Sequence, residues 1–345
     1  MSRFVQLHLL TSYPPANLNR DDLGRPKTAV VGGTERLRIS SQSLKRAWRT
    51  SEVFESALAG HVGTRTKGLG PTLQKKLIDG GVADKKATEW AGKIAEQFAK
   101  LDSDKLSTGQ LVHYAPNEWS AAQELADTLI SENRAATDDE LGALRQHSTA
   151  VDLALFGRML ANHPESNVDA AVQVAHAISV NSVRIEDDYF TAVDDLNTRE
   201  DSGAAHIGEA GFGSGVFYLY LCVDRSLLQD NLQTDTELAN KALRSLVEAA
   251  ATVAPSGKQN SFASRARTSY LLAERGEQQP RSLSVAFLNA IRERDAGVLN
   301  NAIEALETQQ QNFDQVYGEC ADERCGFNVE RGEGTLKAVL DFVVA

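Results

Sequence analysis

The chain is 345 residues long, 42% hydrophobic and 24% charged, with a formal net charge of −11. Apolar residues run along its whole length, which excludes a disordered chain, and no apolar run reaches the length of a membrane span, so no membrane partner is expected. The first residues, Met1-Ser2-Arg3-Phe4, lack the long apolar stretch and cleavage site of a secretory signal, and the expected location is cytoplasmic.

In chain order, Phe4 to Leu10 reads as a strand, with Val5, Leu7 and Leu9 on one face and the more polar Phe4, Gln6 and His8 on the other. A turn-rich stretch from Pro14 to Gly33 follows. A helix then starts near Ser40 or Ser41, either of which can cap it. Leu44, Ala47 and Trp48 fall on its core face, and Gln42, Lys45 and Arg49 form a row on another. From residue 53 to 158 the pattern is helical, with a stripe of Ala87, Trp90, Ala91, Ile94, Ala95 and Phe98. Ser120 to Gln123 and Thr137 to Glu140 read as capping boxes. Strand character returns at Ala171 to Val180 and Val216 to Val223. The polar, Gly-rich stretch 186–215 between them reads as an arm. Thr234 to Glu237 reads as the capping box of another helix, followed by a loop at Pro255 to Gln259. Leu336, Val339, Leu340 and Val343 mark a closing helix. Strands and helices do not alternate regularly, which predicts an α+β fold.

The chain is acidic overall, yet residues 20–49 carry Arg20, Arg25, Lys27, Arg36, Arg38, Lys45, Arg46 and Arg49 against Asp21, Asp22 and Glu35. Eight cations less three acids is a local excess of +5. A basic segment that runs into a helix N-terminus suits a phosphate backbone, and a solvated charged face is the competing reading. Gly211-Phe-Gly-Ser-Gly215 has a strand after it where a dinucleotide site needs a helix, so it reads as a turn or arm. Pro255-Ser-Gly-Lys-Gln259 lacks P-loop spacing and reads as an ordinary turn or as a phosphate contact.

The histidines show no metal-ligand spacing. His176 reads as a core histidine, and His206 as a residue that meets either ligand or solvent. Cys320 and Cys325 have no second ligand pair nearby and read as loop thiols, and Cys222 reads as a buried thiol. No nucleophile-base arrangement is supported by spacing. The chain is therefore expected to be neither an enzyme nor a cofactor or metal binder. The alternative is a metal-dependent endoribonuclease that uses Asp21 or Asp22, residues that otherwise pair with the neighbouring arginines or turn the loop. A protein scaffold that binds no RNA is a third reading.

The runs Asn19-Arg20-Asp21-Asp22, Gly32-Gly33 and Arg38 to Arg46 (RISSQSLKR) closely resemble the N-terminus of the CasC family, the repeated backbone subunit of type I-E CRISPR Cascade, of the RAMP superfamily. Ala175 to Ile178, Phe190 to Leu196, Gly203 to His206, Ser214 to Tyr218 and Gly257-Lys258-Gln259 carry the resemblance along most of the chain. It implies a modified RRM or ferredoxin-like palm (1–52, 159–185 and 216–345), a helical fingers insertion (53–158) and a projecting thumb (186–215). It also implies polymerisation along a CRISPR RNA, which displaces a nucleotide at regular intervals and leaves the guide exposed for pairing with target DNA in antiviral defence. The implied partners are CRISPR RNA, further copies of the chain, target DNA, and the large, small and crRNA-end-binding subunits of Cascade. Arg20, Lys27, Ser40, Gln42, Lys45, Arg46, Arg49, Lys258 and Gln259 would hold the RNA backbone. Phe190, Thr191 and His206 belong to the implied thumb contact, with hinge packing as the competing role of Phe190. Met159 would be either an apolar wedge against bases or a core residue.

Overall fold

The structure, a computed structural model, describes residues 2–145, 149–160, 163–192, 206–292 and 297–345, with the backbone alone at 192, 206 and 207. These residues form two compact units. One comprises Met1–Phe54, Val174–Val223 and Arg244–Ala345, and the other Glu55–Gln173 and Asp224–Leu243.

The first unit is built on an antiparallel sheet. Four of its strands, Phe4–Ala16, Ala177–Ser179, His206–Asp224 and Tyr270–Gly276, alternate with the helices Ser41–Arg49 and Thr236–Thr252 in the order β-α-β-β-α-β. Their spatial order is fourth, first, third, second, which is the ferredoxin-like arrangement. The hairpin Thr28–Val31 and Thr34–Ile39 extends the sheet beside Ala177–Ser179, with Arg38 opposite Ile178 and Ile39 opposite Ala177. Its two-residue turn places Gly32 and Gly33 at φ of 57° and 73°, the type I′ geometry that glycine adopts without steric cost. At the other edge, Glu323–Asn328 pairs with Tyr270–Gly276.

Both faces of this sheet are covered. Leu44 and Trp48 of the first helix and Ala250 of the second line a small space with Tyr13, Phe217 and Leu219. Alternation along the strands carries Val5, Leu7 and Leu9 to that same face. On the opposite face Leu10, Tyr218 and Tyr270 pack against Ala302, Ile303 and Leu306 of the helix Gly297–Tyr317. Gln6 and His8, expected on a partly polar face, are buried under this second layer.

Burial of polar groups demands partners, and they are present. Neutral His8 accepts from Tyr218 Oη at Nδ1 (2.9 Å) and donates from Nε2 to Glu274 Oε2 (3.1 Å). Burial keeps the ring unprotonated against the pull of Glu274, so the contact is a hydrogen bond and not an ion pair. Arg281 grips both oxygens of Glu274, and Arg324 Nε reaches Oε1 at 2.8 Å. Arg324 also pairs with Asp314 of the covering helix at 2.8 Å, which ties that layer to the sheet. Cys320 lies buried beside this group with its amide bonded to Asp314, and Cys325 sits in a strand opposite Ala273, so these are not two loop thiols.

The second unit is helical. The expected stripe from Ala87 to Phe98 is buried, and it meets Leu69, Leu73, Tyr114, Leu125 and Leu129 in one cluster. Thr137 and Glu140 form the expected capping box. Two other expected caps are corrected. Ser120 lies inside the helix Pro116–Glu132, whose start is held by Glu118 accepting from Ala115 N–H at 2.8 Å. Asp235 caps Thr236–Thr252, accepting from Leu238 N–H at 2.9 Å, because Thr234 adopts φ of 65° outside the helix.

Arg158 Nη1 meets Glu118 Oε2 at 2.6 Å, with both side chains almost wholly buried. Arg158→Leu would leave the Glu118 carboxylate buried without its cation. The expected cost is about 3–5 kcal/mol, read as a lower denaturant midpoint for this unit.

Candidate nucleic-acid interface

The helix Ser41–Arg49 begins at Ser40, whose hydroxyl accepts from Ser43 N–H, and it holds Leu44 and Trp48 inward. Gln42 and Arg46 are exposed, and Lys45 and Arg49 are half-buried on the face away from the core. Burial holds the Lys45 ammonium below the usual lysine range. Ser40 itself is 8% exposed, so its side chain serves the helix first.

The loop before this helix is tied to it by Asn19. Its Oδ1 accepts from Ser40 N–H at 2.8 Å, and its carbonyl accepts from Lys27 N–H at 2.8 Å. Arg20 is exposed and bridges to Pro26. Asp21 Oδ1 accepts from Leu23 and Arg25 N–H, both at 2.9 Å, which is the turn-forming role. Among the described residues no group of three or more His, Cys, Asp or Glu is placed to hold a metal ion.

The loop at Pro255–Gln259 joins the same place. A Cβ at Gly257 would lie 2.3 Å from Leu18 O, so the two backbones are in direct contact. Lys258 follows in the left-handed region, φ 50°, exposed at the start of the short helix Gln259–Phe262. Gln259 Oε1 accepts from Ser264 Oγ at 3.1 Å. Gly257→Val is expected to push this loop off Leu18, making 255–262 more sensitive to limited proteolysis while the sheet stays folded.

On its other side the basic loop meets the hairpin Glu186–Ala192 and His206–Phe212. Asn17 Nδ2 donates to Gly24 O and Gly211 O, and Arg25 pairs with Asp187 at 3.0 Å. Phe190 lies opposite Gly208, and its ring occupies the space a Cβ would need there. Phe190 is still 44% exposed, and Thr191 beside it is exposed. For His206 only the backbone is described, so the role expected of its side chain lies outside the described residues.

One of the eight cations leaves the surface, and a second is paired on it. Arg36 is fully buried and donates to Ser179 O, Val180 O and Phe287 O. Arg25 is engaged by Asp187. Arg20, Arg46 and Lys258 are exposed, and Lys27, Arg38, Lys45 and Arg49 are partly exposed. These cations lie on three separate segments held together by Asn19 and Gly257.

His176 corrects the expectation of a core histidine. It is exposed just before the strand Ala177–Ser179, and its Nδ1 accepts from Ser41 N–H at 3.0 Å. Arg265 and Arg267, also exposed, follow the Lys258 loop, and no motif in the sequence marks them.

Met159 belongs to the second unit and is 80% exposed, so core packing is excluded for it. Its neighbours hold it in place. Arg158 bridges to Val168, and Leu160 N–H donates to Asn167 Oδ1 at 2.6 Å.

An α+β chain with a ferredoxin-like sheet, a helical unit and a clustered basic surface has the fold of the backbone subunits of CRISPR surveillance complexes. One solved chain of a "CRISPR RNA-guided surveillance complex, pre-nicking" superposes with a TM-score of 0.85 at 31% identity, covering 99% of each chain. A chain of another "CRISPR RNA-guided surveillance complex" superposes at 0.63 with 26% identity, covering 99% of this chain and 98% of its own. The family described as CT1975-like protein matches residues 5–340, and the chain belongs to it, in keeping with the CasC resemblance. No curated protein matches.

Proposed function

We propose that this chain binds CRISPR RNA without reading its sequence and polymerises along it as the backbone of a Cascade surveillance complex. In this reading the sheet unit is the palm, the helical unit the fingers, and the hairpin from Glu186 the root of the thumb. The carrying observation is the convergence of the 17–27 loop, the helix Ser41–Arg49 and the 255–259 loop on one basic surface. Contacts from such a surface to phosphates and riboses are blind to sequence, as a subunit that must accept any guide requires. The exposed Met159 and Phe190 suit apolar contact with bases of any identity. Base pairing would then carry recognition of target DNA. The chain's part is to hold the guide, and catalysis falls to other proteins. Further copies of this chain and the other Cascade subunits are its partners.

Size-exclusion chromatography with light scattering, with and without CRISPR RNA, tests this directly. The expected result is RNA-dependent growth into a multi-subunit particle that Lys45→Glu/Arg49→Glu cannot form. A particle size indifferent to RNA, with the other subunits present, would refute it. Mg²⁺-dependent RNA cleavage lost in Asp21→Ala would instead support the nuclease reading.

A further inference from the structure

We infer that His176, with Lys27 and Arg38, forms a distinct subsite for an RNA backbone oxygen, in which the imidazole acts as a neutral donor through Nε2. The inference rests on the RNA-binding reading above and adds a residue to which that reading gives no role.

The geometry fixes the ring's tautomer. The pairing of Ile39 with Ala177 places His176 beside Ser40, at the start of the basic helix. Ser41 N–H can only donate, so the Nδ1 it reaches at 3.0 Å must carry a lone pair, and the ring proton sits on Nε2. The residue is exposed, and no partner for Nε2 is found among the described residues. The helix end itself is not the site, because the N–H groups of Ser41 and Ser43 are taken by His176 and Ser40.

The surrounding charge selects the ligand. Partial burial, then Arg38, then Lys27 lower the proton affinity of the ring, and no carboxylate is among the groups that act on it. One fixed N–H donor and two cations, without an acceptor, suit an oxygen of a phosphate or ribose. A neutral donor differs from the lysines and arginines around it in one measurable respect. It releases no counterion, so it adds affinity without adding to the salt dependence.

The test is fluorescence anisotropy of a labelled single-stranded RNA with the full chain, over a salt series and between pH 6 and 7.5. His176→Asn keeps an acceptor for Ser41 N–H and loses the outward donor, and His176→Gln does the reverse. The expected result is an affinity about tenfold lower for His176→Asn at every salt concentration, with unchanged slope and thermal midpoint. His176→Gln is expected to retain most of the wild-type affinity. Wild-type affinity in His176→Asn, alongside loss of binding in Lys45→Glu/Arg49→Glu, overturns the subsite and leaves the RNA reading standing. Wild-type affinity that rises as the pH falls, with the rise absent from His176→Asn, shows a cationic contact and overturns the neutral donor. Absence of RNA binding by the wild-type chain overturns both readings together.

Discussion

Glu274→Ala is expected to lower the stability of the sheet unit by about 3–5 kcal/mol, the cost of leaving buried charges without their partner. Glu274 is wholly buried and accepts from His8, Arg281 and Arg324. Removing it strands the Arg281 guanidinium and a ring N–H beneath the helix Gly297–Tyr317 and leaves Arg324 with Asp314 alone. Glu274→Gln keeps the shape and part of the hydrogen bonding, so its loss should be smaller but still large. Urea denaturation followed by far-UV circular dichroism measures both, and a loss under 1 kcal/mol for Glu274→Ala would contradict the account.

The same group makes the unit acid-labile in two stages. Burial pushes the Glu274 carboxyl up, but the hydrogen bonds from His8 and Arg281 outweigh it and hold the carboxyl well below the usual carboxylate range. A depressed carboxylate contributes stability that is present above its unfolded value, about 4.3, and is lost as the pH falls toward its folded value. His8 is lowered by burial, so below its unfolded value of about 6.5 the unfolded chain takes up a proton that the folded one resists. Stability should therefore decline first from about pH 6.5 through His8, and again below about pH 4.3 through Glu274. His8→Gln should flatten the first decline and leave the second.

Lys45→Glu/Arg49→Glu should weaken single-stranded RNA binding by about 100-fold or more near physiological salt, since each lost contact to a charged oxygen is worth about 1.5–3 kcal/mol. Two phosphate contacts fewer should also flatten the dependence of log affinity on log salt by about 1.4. Leu44 and Trp48 hold the opposite face of this helix in the core, so the variant should fold normally. A large affinity loss with an unchanged slope would mean that the two cations act on structure and not on phosphate. Arg36→Glu is a poor substitute, because Arg36 is buried and bonded to three carbonyls, and its reversal would unfold the hairpin it supports.

Much of the candidate interface is written locally. Ser40 to Arg49 carries its own cap, core face and polar row, and helical periodicity alone places Gln42, Lys45 and Arg49 away from Trp48. The Thr137 capping box and the Ala87 to Phe98 stripe are legible for the same reason. Such features depend on residues within one or two turns, which the sequence lists side by side. The CasC resemblance extends this reading to a whole fold, and the ferredoxin-like strand order and the family match agree with it.

What only the tertiary structure decided depends on partners distant in the chain. His8 and Gln6 read as half-polar because the helix that buries them begins at Gly297. Arg36 counts as a surface cation until Ser179, 143 residues on, takes its proton donors inward. His176 reads as a core residue until Ser41, 135 residues earlier, is found donating to its ring. Composition and periodicity set which elements form and which face each one buries, because those are properties of a single segment. The charge that reaches solvent, and the tautomer a ring adopts, belong to pairs of segments and are fixed only when the sheet brings them together.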